Sequence, residues 1–140
     1  MRAAASRTKL ENVVYAPDGV ADYTLMLILM AIRNVTGIVS SAEKHDFRLS
    51  SSRGKDLRDM TVGVLGVGHI GNAVIRRLQG FGCCVLASSN RRTEAAAAEF
   101  VSLDELLLES DIVTLHLPLN ADTHHVIGRE QIARMKQGAF

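Results

Sequence analysis

Hydrophobic positions along the chain change period several times, and each change marks an element. Thr61-Val62-Gly63-Val64-Leu65-Gly66 is a short apolar run rich in strand formers, the pattern of a strand buried on both faces of a parallel sheet. From His69 the spacing becomes helical. Ile70, Ala73, Val74 and Leu78 share one side, Arg76 and Arg77 the other, and Gly80 and Gly82 end the run. Cys84 to Ala87 predicts a second strand and Asp111 to Leu117 a third, stopped by Pro118. Ser102-Leu103-Asp104-Glu105 is a capping box opening a short helix to Glu109. Ala95 to Ala98 predicts a short helix, Glu130 to Lys136 a last one, and Gly138-Ala139-Phe140 the start of a further strand.

Upstream, Ala16-Pro17-Asp18-Gly19 predicts a turn with Asp18 as a helix N-cap. One long helix follows, Val20 to His45. It is apolar nearly all round from Leu25 to Ile32, so it must be covered on several sides. Ser50 to Gly54 reads as a loop. Strand, helix, strand, short helix, strand, helix predicts an α/β fold, a partial Rossmann doubly wound parallel sheet with its first three strands, preceded by a long apolar helix. With three strands only, the first would lack its fourth-strand neighbour and become an edge.

Gly66-Val67-Gly68-His69-Ile70-Gly71 is a G-x-G-x-x-G run between an apolar strand and a helix, the context that gives this motif meaning. Gly66 permits the tight turn, Gly68 lets backbone approach a pyrophosphate, and Gly71 lets the helix pack on the sheet. The free N–H groups near His69 and Ile70, at the positive end of the helix dipole, suit a dianion. A glycine-rich turn without ligand is the plain alternative. An acidic residue that would hold the ribose 2′-hydroxyl belongs roughly 20 residues on. That position is Ser89, in a Ser88 to Thr93 run without a carboxylate. With Asn90, Arg91 and Arg92 beside it, the run favours NADP over NAD, although the arginines would equally suit a solvated loop.

The formal net charge of +1, with basic residues scattered, removes the electrostatic case for nucleic acid or an acidic membrane surface. The Leu25 to Ile32 run covers only about 12 Å as a helix, too little for a membrane span. Met1 to Leu10 lacks the apolar stretch of a signal peptide. Adjacent Cys83 and Cys84 cannot staple distant segments and point to a reducing cytoplasm. His45, His124 and His125 lack partners at metal-ligand spacing, so no metal is expected.

Three blocks resemble the D-isomer-specific 2-hydroxyacid dehydrogenases: Tyr15 to Leu25, Leu57 to Gly71, and Asp111 to Leu119 with Thr123 after it. Within that family, Ala21 to Leu27, Asp46 to Leu49, Gly80 to Cys83 and Met135 to Phe140 are similar to the D-lactate dehydrogenases of glycopeptide-resistance clusters. The resemblance implies hydride transfer between NAD(P)H and a 2-keto acid, pyruvate to D-lactate, by a homodimer. Other substrates of the family, namely glyoxylate, hydroxypyruvate and phosphoglycerate, and a nucleotide-sensing co-repressor role stay open. It implies residues 1–19 as a remnant of a substrate domain and hinge, and 20–140 as an incomplete dinucleotide-binding domain. It assigns His69 and Ile70 to the pyrophosphate and Ser89 to the adenine ribose. Leu117 and Pro118 line the cofactor crevice, with Thr123 nearby, and His116 belongs to the cofactor wall and is not the catalytic base. The family's catalytic arginine, acid and histidine are expected beyond Phe140, leaving this chain alone inactive. The family's aromatic residue and aspartate are replaced here by Ser88 and Ser89, which bears on NAD against NADP.

Overall fold

The computed structural model describes residues 16–48, 53–89 and 98–140. Four parallel strands form one sheet: β1 (Thr61–Leu65), β2 (Cys84–Ser88), β3 (Glu99–Phe100) and β4 (Ile112–Leu115), in the order β3-β2-β1-β4. Helix α3 (His69–Gln79) connects β1 to β2, and α4 (Leu103–Glu109) leads from β3 into β4. Helices α1 (Pro17–Ile32) and α2 (Val35–Glu43) precede the sheet, and α5 (Arg129–Arg134) follows it.

The sheet corrects the three-strand expectation. The two-residue β3 is too short to leave a period in the sequence, so the Asp111 segment is the fourth strand, not the third. Strand β1 is therefore flanked on both sides, Leu65 lying opposite Ser88 on β2 and Leu115 on β4. It is not an edge. Phe140 starts the next ladder: its N–H donates to Asp111 O and its carbonyl accepts from Val113 N, both at 2.9 Å. The further strand predicted at Gly138 to Phe140 thus begins in register on β4.

The predicted Val20 to His45 helix is two helices meeting at 63°. Asn34 breaks it by adopting a left-handed φ of 50°, a conformation asparagine tolerates better than most residues. The Ile32 carbonyl freed at the break accepts from Lys55 N at 2.9 Å, and Arg33 pairs with Asp56 at 2.6 Å. Ala16, not Asp18, is the N-cap of α1, with Pro17 in its first turn and Asp18 already helical. Proline's fixed φ and missing N–H suit that first turn. Within this chain α1 is covered on one side only. Ala21, Leu25, Ile28 and Ile32 are buried, whereas Tyr23, Met26, Leu27 and Met30 are exposed. The predicted Ala95 helix lies mostly outside the described residues; Ala98 leads directly into β3.

The core forms on two faces of the sheet. On one, the buried stripe of α1 and Ala73, Val74 and Leu78 of α3 pack with Val62 and Val64. Arg77 fastens these helices, donating to Asp22 Oδ1 at 2.5 Å and Asp18 Oδ1 at 3.1 Å. On the other, Leu106 and Leu107 of α4 pack with Leu86. The capping box is present in part: Ser102 Oγ accepts from Glu105 N at 3.2 Å. Gly63 allows α4 this close, because a Cβ there would meet Ser110 Oγ and the Leu106 side chain.

Asp111 ties the foot of the sheet together. One carboxylate oxygen accepts from Thr61 N at 2.8 Å and the other from Lys136 Nζ at 3.1 Å. The Thr61 amide, with help from Lys136, holds its pKa below the ordinary 3.8. A depressed carboxylate pKa contributes stability that is complete above the unfolded value and lost as pH falls from there through the folded one. Asp111→Asn is expected to lower stability at pH 7 by about 1–2 kcal/mol, with the gap to wild type closing below the ordinary aspartate range. Urea unfolding at pH 7 and pH 3 checks this; a gap independent of pH refutes it.

Candidate functional site

The carboxyl ends of β1, β2 and β4 converge on the glycine run. Gly66 leaves β1 with φ 95°, and its N–H donates to Ser88 O at 2.8 Å. His116 N donates to Leu65 O at 2.8 Å. Side chains are excluded from the turn itself: a Cβ on Gly66 would stand 2.8 Å from His116 O and from Leu117 Cδ2. A Cβ on Gly71 would collide with the Gly66 carbonyl oxygen, which is how closely α3 sits on the strand end. At Gly68 the opposite holds, since a Cβ there meets nothing within 4 Å. The middle glycine thus borders open space, as a backbone cradle for a pyrophosphate requires.

Helix α3 begins at His69 with Gly68 as its N-cap and no side-chain cap. Its first i→i−4 bond runs from Asn72 N to Gly68 O at 2.9 Å. The helix itself does not satisfy the N–H groups of His69, Ile70 and Gly71, so they suit an anion at the dipole's positive end. His69 and Gly68 are exposed, and Ile70 is half-buried.

The β1–β2 register puts Ser89 one residue past the end of β2, opposite Gly66. Ser89 is half-buried. Asn90 and Arg91 lie outside the described residues. On the opposite side, burial holds the His116 imidazole below the usual histidine range, making it neutral at pH 7. Its Nε2 lies 3.1 Å from Thr114 Oγ1. Both residues border an apolar cavity of about 410 Å³ between α1 and β4, lined also by Val20, Leu27 and Phe140. A second cavity, of about 810 Å³, lies at the α1–α2 break beside Phe47 and Arg53, apart from the glycine turn.

Pro118 is exposed, and Leu117 packs against the Gly66 turn. Thr123 closes the following turn: its Oγ1 donates to Pro118 O at 2.5 Å and accepts from Asn120 N at 2.9 Å. Gly66, Gly68, His69, Ile70, Gly71, Ser89, His116 and Leu117 therefore share one end of the sheet, with Pro118 and Thr123 on the loop leaving it. Sequence reasoning passed over Thr114 and Asn120. The signal for Asn120 was available, because Asn with Thr three residues on is turn chemistry. Nothing in the sequence marks Thr114 as the partner of His116.

Residues 25–140 match the family described as D-isomer specific 2-hydroxyacid dehydrogenase, NAD binding domain. The chain belongs to that family. It is 66% identical over 131 residues to a D-specific alpha-keto acid dehydrogenase of Enterococcus faecium, covering 94% of this chain and 40% of the relative. A protein of the same description from Enterococcus faecalis is 61% identical over 129 residues, covering 92% of this chain and 39% of the relative. Among solved structures, the D-lactate dehydrogenase of Aquifex aeolicus complexed with NAD and lactic acid aligns with a TM-score of 0.85 at 35% identity. That alignment covers 88% of this chain and 38% of the other. The chain spans about 40% of the length of the curated relatives it matches. No single helix among its described residues is long and apolar enough to cross a membrane.

Proposed function

We propose that this chain is the pyrophosphate- and adenosine-binding part of a D-2-hydroxyacid dehydrogenase that reduces a 2-keto acid, pyruvate to D-lactate, in a homodimer. The observation that carries the reading is the glycine turn. Gly66 and Gly71 are closed by backbone, Gly68 borders open space, and three helix N–H groups stand beside it. That cradle fits a dinucleotide pyrophosphate. When bound, the nicotinamide cofactor supplies the hydride for the keto carbon. The residues of this chain bind and orient. Gly68, His69 and Ile70 hold the pyrophosphate through backbone N–H groups, and Ser89 faces the adenine ribose. His116, Leu117 and Pro118 wall the crevice. His116, its neutral form favoured by burial, adds no charge there. The alpha-keto acid description of the relatives at 66% and 61% identity supports the substrate class.

The finer cofactor reading is NADP. Ser89 stands where a carboxylate would repel a 2′-phosphate, and Asn90, Arg91 and Arg92 follow it in the sequence. Titrating the chain with NADPH and NADH by calorimetry tests the site. Assays of the full-length enzyme with pyruvate, glyoxylate and hydroxypyruvate test the substrate. Saturable nucleotide binding and a highest kcat/KM for pyruvate are expected. A chain that binds neither nucleotide contradicts the proposal.

A further inference from the structure

We propose that Thr114 is a positioning residue: its hydroxyl pins the His116 ring inside the fold, and the pinned ring anchors the end of β4 against the glycine turn. The inference rests on the site proposed above and deepens it.

His116 continues the ladder of β4 by donating its N–H to Leu65 O at 2.8 Å. Thr114, two residues earlier, therefore shares its face of the sheet. Both border the cavity of about 410 Å³ between α1 and β4. Among the described residues lining that cavity, Thr24 is the one other polar side chain, and its hydroxyl already donates to Val20 O at 2.9 Å. His116 is the one titratable side chain there.

Thr114 Oγ1 and His116 Nε2 stand 3.1 Å apart, and neither side chain has another hydrogen-bond partner among the described residues. The direction of the bond follows from what each choice strands. If the hydroxyl donates, Nε2 accepts and one donor, Nδ1–H, stays free. If Nε2–H donates, the hydroxyl proton and the Nδ1 lone pair are both left without a partner. The first choice strands fewer groups, which assigns the ring proton to Nδ1. Burial and the donated proton act alike, since each favours the neutral ring.

The pin matters through the His116 backbone. A Cβ on Gly66 would stand 2.8 Å from His116 O, and equally close to Leu117 Cδ2. A ring free to leave the cavity no longer anchors this strand end. The carbonyl and Leu117 then lose their fixed clearance over the glycine turn, and the nucleotide must order them on binding.

Thr114→Val keeps the shape and removes the hydroxyl; Thr114→Ser keeps the hydroxyl. Imidazole NMR of this chain should show His116 as the Nδ1–H tautomer, titrating below the usual histidine range. In Thr114→Val the midpoint should rise toward that range, and Thr114→Ser should restore it. NADH titrated by calorimetry should bind Thr114→Val about tenfold more weakly, the size of one lost hydrogen bond, and Thr114→Ser within about twofold of wild type. In a His116→Phe background, Thr114→Val should weaken NADH no further, because Thr114 acts through the ring. Thr114→Ala takes the place of valine if valine shows no folded far-UV spectrum. An Nε2–H tautomer in wild type overturns the inference. So does a His116 midpoint or NADH affinity unchanged in the folded variant without the hydroxyl, or a serine variant as weak as valine. A wild-type chain that binds no NADH overturns the site reading instead, and the His116 titration still tests the pin by itself.

Discussion

Gly71→Ala is expected to abolish dinucleotide binding by damaging the fold, whereas Gly68→Ala is expected to weaken it about a hundredfold with the fold intact. The two glycines are three residues apart in one motif, yet the structure gives them opposite surroundings. A Cβ at Gly71 collides with the Gly66 carbonyl oxygen, a backbone atom that cannot rotate away. Relief requires α3 to lift off the end of β1, and that helix contributes Ala73, Val74, Ile75 and Leu78 to the core. Overpacking of this kind costs roughly 1–3 kcal/mol and occasionally more; contact with backbone puts Gly71→Ala at the upper end. At Gly68 the backbone is extended, with φ −89°, and a Cβ meets no protein atom. The added methyl instead occupies the space into which the pyrophosphate comes. Gly68→Ala should keep its urea midpoint while nucleotide affinity drops about a hundredfold, the equivalent of losing two hydrogen bonds of ordinary strength. Urea unfolding and calorimetric titration of both variants decide the matter. Full NADH affinity in Gly68→Ala would remove the pyrophosphate from this turn.

In the full-length enzyme, Ser89→Asp should turn the nucleotide preference around. The wild type is expected to favour NADPH by about tenfold to a hundredfold, the effect of one or two charge-assisted hydrogen bonds to the 2′-phosphate. The serine's place is set by pairing: Leu65 opposes Ser88, so residue 89 follows β2 directly beside the Gly66 turn. An aspartate there grips ribose hydroxyls and repels the phosphate. Arg91→Ala should weaken NADPH and leave NADH nearly unchanged, less sharply if Arg92 shares the contact. Comparison of kcat/KM for both nucleotides is the measurement. A wild type that prefers NADH, or an Arg91→Ala effect equal on both, refutes the NADP reading.

What could be read from the sequence divides by physical range. Strand β1, helix α3 and the glycine run are dictated locally, by apolar β-branched residues, a 3.6-residue period and glycines where no side chain fits. They were legible almost to the residue. The capped α4 was legible because Ser102 and Glu105 are neighbours in sequence. Strand β3 was not, because two residues carry no period and Glu99 is polar. Losing it turned β1 into a false edge. The α1–α2 break was hidden for another reason: Asn34 and Gly37 are tolerable within a helix, and the loop that pins the break, Gly54 to Asp56, arrives from about 20 residues downstream. In the site, the glycines and Ser89 could be placed from spacing alone. The bond of Thr114 to His116 and the inward-turned hydroxyl of Thr123 belong to tertiary geometry.

The break at Asn34 also divides the molecule mechanically. Helix α2 buries no residue of its own, and nine residues are too few to hold a helix in water unaided. Its amides should therefore exchange with solvent through local opening, orders of magnitude faster than those of α3, whose release requires the whole sheet to unfold. Proteases should nick the chain first within Val35–Glu43, leaving the nucleotide cradle intact. Warming should melt α2 well before the sheet, so that far-UV ellipticity falls in two stages while the affinity for NADH follows only the second.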